Sequence, residues 1–195
     1  MKSPKILVLS GSIRSGSVNT RLQGAISKQL SIIDCDVTRT SLEDYPLPLY
    51  NGDLEASNGA PENAERLARL FDAQDGLFFV GPEYNGSISP LLKNTIDWIT
   101  RVKEVDGQKV SPFRGKVAAI AACSPGSMGG ITMLGHLRDV LFRLGTLVIS
   151  EQLAVGNAGS AFDEDDKLTN ERAAGLLISA CDSLKTKAAL LKLEA

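Results

Sequence analysis

The segment KILVLSGSIRSGSVN, residues 5–19, joins an apolar run to a polar loop and then to the start of a helical pattern. The run Ile6–Leu9 has no polar alternation, which is typical of a strand buried on both faces of a parallel sheet. The loop that follows is rich in Ser and Gly. Small residues let backbone N–H groups converge, and a helix N-terminus adds partial positive charge. The segment therefore predicts an anion site.

The composition of this first loop (residues 10–19) favours a monophosphate. The loop lacks the G-x-G-x-x-G pattern of dinucleotide sites, and no Lys follows Gly16 as a P-loop requires. Serine hydroxyls donate to phosphate oxygens, and a guanidinium binds two oxygens at once. The alternative is an ordinary polar turn in which Ser17 or Asn19 caps the helix. We predict phosphate contacts from Ser12, Arg14, Ser15, Gly16, Ser17, Val18 and Asn19.

Strand and helix patterns alternate five times along the chain. The predicted strands cover residues 5–9, 34–38, 76–80, 116–122 and 147–149. This alternation predicts one α/β domain over residues 1–195, a doubly wound parallel sheet in the order 2-1-3-4-5. Residues 41–60 and 103–115 carry Pro and Gly and predict loops.

Helix boundaries follow from capping residues. Ser89 is predicted to cap a helix that begins at Pro90, and Pro61 to be the first residue of another. The acidic residues 163–166 are predicted to cap the last helix, because negative charge is favourable at a helix N-terminus.

Two further polar loops follow the third and fourth predicted strands. The second loop is GPEYNGSISP, residues 81–90, and the third is SPGSMGG, residues 124–130. Strands 1 and 3 are neighbours whose connections leave in opposite directions, so these loops meet at the switch-point crevice where ligands bind. A phosphate on the first loop and a planar ring between the other two describe FMN. Backbone amides around Asn85 and Gly86, and around Gly126 and Ser127, are predicted to reach the ring from its two sides.

Two motifs resemble the signatures of the NADPH-dependent FMN reductase family. They are Ser12-x-Arg14-x-x-Ser17-x-Asn19 and PEYNGSISPLLKNTIDW, residues 82–98. The resemblance implies a flavodoxin-like fold, bound FMN and a homodimer or homotetramer. Carried over to this sequence, it implies ring contacts from Pro82, Glu83, Tyr84, Asn85, Gly86, Ser87, Ser124, Pro125 and Gly126. It also implies hydride transfer from NADPH or NADH through FMN to a small-molecule acceptor: a quinone, an azo compound, a metal oxyanion such as chromate, or a flavin. The chemistry takes place at flavin N5, so we predict no catalytic side chain.

Two alternatives remain open from the residues alone. One is a flavodoxin-type electron carrier, which is disfavoured by the net charge of -2 and by Tyr84 being the single aromatic residue in the second and third loops. The other is a domain that binds a phosphorylated metabolite without flavin. Tyr84 itself either packs on the ring or anchors its loop.

Several motif residues fall on predicted helices and are interpreted as structural. Asp97 is expected to pair with Lys93 or Arg101, each four residues away, and Trp98 to pack at a subunit interface. His136, the single histidine, is expected on a helix surface or at an interface.

Composition limits the partners and the location. A net charge of -2 and a pI of about 5.5 predict no attraction to nucleic acid. The three cysteines are far apart and form no C-x-x-C pattern, which predicts no disulfide framework, no metal site and a cytoplasmic location. No apolar run is long enough to cross a membrane, so we expect no membrane partner.

Overall fold

The computed structural model describes residues 3–193, which form a five-stranded parallel sheet with helices on both faces. The sheet strands are β1 (Lys5–Ser10), β2 (Asp36–Ser41), β3 (Gly76–Val80), β8 (Val117–Cys123) and β9 (Leu147–Val155). Their order is β2-β1-β3-β8-β9. The predicted order and the flavodoxin-like fold class are confirmed.

The remaining elements are six helices, two short hairpins and a 3-10 turn within residues 3–193. The helices are α1 (Val18–Ile32), α2 (Gly52–Asn58), α3 (Glu62–Asp72), α4 (Pro90–Ile99), α5 (Ile131–Arg143) and α6 (Glu171–Leu193). The hairpins pair β4 (Glu83–Tyr84) with β5 (Ser87–Ile88), and β6 (Glu104–Val105) with β7 (Gln108–Lys109). None of these helices is long and apolar enough to cross a membrane.

Two hydrophobic cores sandwich the sheet. On one face, α3, α4 and α5 pack against Leu7 and Leu9 of β1; on the other, α1 and α6 pack against Ile6 and Val8. Every residue of β3 and β8 is buried. Successive strand residues point to opposite faces, so a strand covered on both sides must be apolar throughout, as the sequence patterns predict.

The parallel register brings three loops to one edge of the sheet. Ser10 is level with Val80, and Val80 with Ala121. The amide of Gly11 donates to Val80 O at 2.7 Å, and that of Gly81 to Ala121 O at 3.0 Å. The first, second and third loops therefore start side by side at the carboxyl ends of β1, β3 and β8.

The segment 41–60 contains more structure than its composition predicts. Leu42–Asp44 forms the 3-10 turn, and Asn51 caps α2 by accepting from Asp53 N at 2.8 Å. No residue of α2 is buried, so the helix has no apolar face that a sequence pattern could reveal.

Trp98 is buried inside this chain rather than at a subunit interface. Its Nε1 donates to Pro48 O at 2.7 Å. Asn94 donates to the same oxygen at 2.9 Å and accepts from Tyr50 N at 2.8 Å. The side chains of Asn94 and Trp98 thus hold residues 48–50 against α4. Asp97 pairs with Lys93, at 2.8 Å, as one of the two predicted alternatives.

Other differences lie at element ends. The predicted loop 103–115 contains the β6–β7 hairpin, β9 continues to Val155, and Pro61 precedes α3 as its N-cap. The acidic residues 163–166 do not cap α6, which starts at Glu171 and is capped by the Asn170 side chain. Asp166 instead pairs with Arg21 of α1 at 2.6 Å.

Asn19 ties the first loop to the end of β8. Its Nδ2 donates to Cys123 O at 3.0 Å, and its Oδ1 accepts from Cys123 N at 2.9 Å. The side chain is buried, and its two bonds satisfy both backbone groups of Cys123. This pair of bonds fixes the first turn of α1 beside the start of the third loop.

We expect Asn19→Ala to lower the free energy of unfolding by about 3 kcal/mol, because it leaves a buried N–H and C=O unpaired. Urea denaturation measures the change. Asn58→Ala, at an exposed position at the end of α2, is the control and should change stability little. Equal effects of the two substitutions would contradict the role given to Asn19.

Candidate functional site: a cleft at the carboxyl edge of the sheet

The first loop is shaped by its own serines. Ser10 Oγ accepts from Ser12 N at 3.3 Å, and Ser12 Oγ accepts from Arg14 N at 3.4 Å. Ser17 N then donates to Arg14 O at 3.1 Å and closes a turn. Gly16 occupies the turn position that requires a positive φ, here 67°. The serine hydroxyls accept from the backbone and retain their own protons for another acceptor.

Donors without acceptors collect at the end of this loop. Ser17 caps α1 by accepting from Asn19 N at 3.3 Å. Within residues 3–193, the amides of Ser15, Gly16 and Val18 have no hydrogen-bond acceptor. Over the same residues, the exposed Arg14 guanidinium has no ion-pair partner. Amides at a helix N-terminus beside a free guanidinium form a site for an anion.

The second loop folds into the β4–β5 hairpin. Its two-residue turn, Asn85-Gly86, has φ values of 51° and 74°. Two successive positive φ angles define a type I′ turn, which suits Asn-Gly. The backbone amides of both turn residues have no acceptor among the described residues. Tyr84 is half exposed beside them.

Glu83 caps a helix from a distant position. α5 begins after Gly130, which has φ 85° and whose added Cβ would lie 2.7 Å from the Ala122 Cβ. A glycine is therefore required there, and it has no side chain to cap the helix. Glu83 Oε2 instead accepts from Met133 N at 3.0 Å. The predicted ring contact thus also fixes the second loop to α5.

Ser89 joins the first and second loops. Its Oγ donates to Gly11 O at 2.8 Å and accepts from Leu92 N at 3.3 Å. Ser89 is therefore the N-cap of α4, as predicted. An added Cβ at Gly11 would lie 2.9 Å from the Leu92 Cβ. The first loop therefore packs too closely on Ser89 and the first turn of α4 for a side chain at this point.

The third loop lies against the end of β9. Ser124 N donates to Val155 O at 3.0 Å. A Cβ added at Gly156 would lie only 2.4 Å from Ser127 O, so the loop packs on bare backbone. Gly126 N donates to Ser124 Oγ at 3.3 Å, which leaves that amide unavailable to a ligand.

The three loops enclose a cleft of about 220 Å³. Ten of the sixteen predicted site residues line it: Ser12, Arg14, Ser17, Val18, Asn19, Pro82, Glu83, Tyr84, Ser124 and Pro125. The other six lie in the same loops without lining the cleft: Ser15, Gly16, Asn85, Gly86, Ser87 and Gly126. The Asn19 side chain lines the cleft with its polar atoms already bound to Cys123.

Cys123 also lines the cleft and was missed by the sequence analysis. Burial raises the pKa of its thiol to about 11, and the nearby Arg21 lowers it only in part. The thiol is therefore neutral near pH 7 and adds a small apolar surface to the cleft wall. Its position as the last residue before Ser124 is the signal that could have revealed it.

Each of the three loops exposes one large apolar side chain to solvent. These are Ile13, Tyr84 and Met128, which are 49%, 50% and 69% exposed. Tyr84 also lines the cleft, whose walls are largely apolar. Single exposed apolar residues are common, but one on each of three loops that enclose a cleft is typical of a ligand-binding site. We call these residues the rim.

Comparisons with known proteins identify the family of this chain. A family model described as NADPH-dependent FMN reductase matches residues 4–160. An NAD(P)H-dependent FMN reductase of Pseudomonas aeruginosa is 34% identical over 182 residues, 93% of each chain. A quinone reductase of Escherichia coli is 33% identical over 153 residues, which are 78% of this chain and 77% of the relative.

The solved structure of FerB, a flavoenzyme NAD(P)H:(acceptor) oxidoreductase from Paracoccus denitrificans, superimposes with a TM-score of 0.78. It is 30% identical, and the alignment covers 96% of this chain and 98% of that one. These matches confirm the predicted class of enzyme, an oxidoreductase that depends on FMN and NAD(P)H. The chain belongs to the NADPH-dependent FMN reductase family.

Proposed function

We propose that the cleft holds FMN, with the phosphate on the first loop. The observation that carries this proposal is the set of unpaired donors described above: three free amides and the Arg14 guanidinium among the described residues. The hydroxyls of Ser12 and Ser17 add further donors. A terminal phosphate offers several oxygens at once, so it matches a site with many converging donors.

The ring would lie between the second and third loops. The free amides of Asn85 and Gly86 suit the oxygen and nitrogen acceptors along the pyrimidine edge of a flavin. In the third loop, Ser127 N is free among the described residues, whereas Gly126 N is bound to Ser124. Asn19 has a further role besides the predicted phosphate contact: its side-chain amide bonds both backbone groups of Cys123 and so positions the loops.

The cleft volume of about 220 Å³ would enclose only part of such a cofactor. FMN held there would supply the hydride chemistry that links NAD(P)H to a second, small-molecule acceptor. The chain supplies binding and orientation, and its backbone donors stabilise negative charge that develops on the ring. Because no titratable side chain is needed for hydride transfer, we propose no catalytic residue.

The rim favours a planar organic acceptor. Ile13, Tyr84 and Met128 offer apolar surface to a flat ring, and they offer no charge to a metal oxyanion. Relatives that cover most of this chain are named quinone reductases. Among the predicted acceptors, we therefore propose quinones first, with azo compounds and flavins ahead of chromate.

Three broader predictions stay proposals. Residues 1–195 act as one domain, the chain forms a homodimer or homotetramer, and it works in the cytoplasm. The free state of all three cysteines is consistent with a reducing compartment. Light scattering on a size-exclusion column measures the oligomeric state directly.

Arg14→Ala should weaken FMN binding at least tenfold, because a charge-assisted contact to phosphate is worth about 1.5–3 kcal/mol. Quenching of flavin fluorescence measures the dissociation constant. The control is Arg172→Ala, which removes an exposed guanidinium from α6. An unchanged constant for Arg14→Ala would refute the phosphate assignment.

Replacing the rim should affect the acceptor and not FMN. We expect Met128→Ser and Ile13→Ser each to raise KM for an apolar quinone about threefold to tenfold, because each loses roughly 1 kcal/mol of apolar contact. Steady-state NADPH oxidation measures the effect, with chromate as the comparison substrate. A higher kcat/KM for chromate than for the quinone in the unmodified enzyme would overturn the proposed acceptor class.

A further inference from the structure

The β4–β5 hairpin depends on another element for its position. Each of its strands has two residues, and a two-stranded hairpin of this size is not stable by itself in water. Its turn nevertheless carries Asn85 and Gly86, whose amides have no acceptor among the described residues and whose neighbour Tyr84 lines the cleft. Whatever holds the hairpin still therefore also holds these donors in place.

α5 provides two tethers, one for each strand of the hairpin. On β4, Glu83 Oε2 accepts from Met133 N at 3.0 Å. On β5, Ser87 Oγ lies 3.0 Å from Nδ1 of His136. The second tether joins two side chains and can be removed without touching the capping of the helix.

The chemistry of the second tether makes it independent of the protonation state of the imidazole. A serine hydroxyl both donates and accepts, so it bonds to Nδ1 in either neutral tautomer and in the imidazolium form. His136 lies on the exposed face of α5, and Ser87 is half-buried against it. Ile88 of β5 stays packed against the core and Ser89 stays bonded to Gly11 when this bond is lost, so its loss acts mainly on the turn and costs the hydrophobic core little.

We propose that His136 is a positioning residue of the flavin site: through Ser87 it holds the Asn85–Gly86 turn where the ring would bind. This inference rests on the proposed function, because it takes the turn to be a flavin contact. Neither the sequence motifs nor the cleft lining assigns a role to His136, which does not line the cleft.

A double-mutant cycle on FMN affinity tests the proposal. Ser87→Ala and His136→Phe each remove the bond, and His136→Phe keeps a ring of similar helix propensity. We expect each to raise the FMN dissociation constant about fivefold, and the double variant also about fivefold rather than ~25-fold. The proposal would be overturned if the double variant raised the FMN dissociation constant by the product of the two single effects, or if neither single substitution changed it.

Rescue and hydrogen exchange separate positioning from general damage. His136→Asn keeps a polar atom at the position of Nδ1, so its FMN affinity should be close to that of the unmodified protein. In the protein without FMN, amides of residues 84–88 should exchange severalfold faster in His136→Phe than in the control Asp139→Asn, one turn further along α5. Equal exchange would contradict the tether.

The two proposals fail in different ways. If the unmodified protein binds no FMN, or if Arg14→Ala binds it normally, the phosphate site is wrong and this inference falls with it. If FMN binds through Arg14 but the Ser87 and His136 substitutions weaken FMN binding independently of each other, the flavin site stands and only the role of His136 is wrong.

Discussion

Two hydrogen bonds between Asn19 and the backbone of Cys123 connect segments 104 residues apart in the chain. Each loop of the site begins at the end of a different parallel strand, and parallel strands alone set only where the loops start. The paired bonds lock the first turn of α1 against the end of β8. Ser89 does the same between the first and second loops through Gly11 O, at 2.8 Å. Side chains that bind backbone therefore make three separate loops into one cleft.

α5 is the second organising element of the site. It follows the third loop, and it holds the second loop through Glu83 and His136. A shift of this helix would therefore move two of the three loops together. The arrangement lets the chain place backbone donors accurately on short loops, which is the main means by which a protein tunes a bound flavin. The largely apolar cleft and the exposed apolar residues of its three loops suit a flat organic molecule.

The sequence predicted what depends on local pattern. The apolar run of β1, the buried β3 and the Ser89-Pro90 start of α4 all lie where the residues indicate. The patterns did not reveal α2, because a helix without a buried face carries no apolar period. Trp98 was assigned to a subunit interface because nothing local shows that residues 48–50 fold back onto α4. The roles of Asn19 and Glu83 as tethers depend on partners 104 and 50 residues away, which no local pattern encodes.

The most direct test is the visible absorption spectrum of the purified protein after incubation with FMN and removal of unbound FMN on a desalting column, followed by NADPH addition without oxygen. The account predicts flavin bands in the blue and near ultraviolet that bleach when NADPH is added. Bands that bleach with neither NADPH nor NADH would indicate an electron carrier instead. No bands after incubation with FMN would contradict the central claim, because the three loops would then bind some other phosphate ligand.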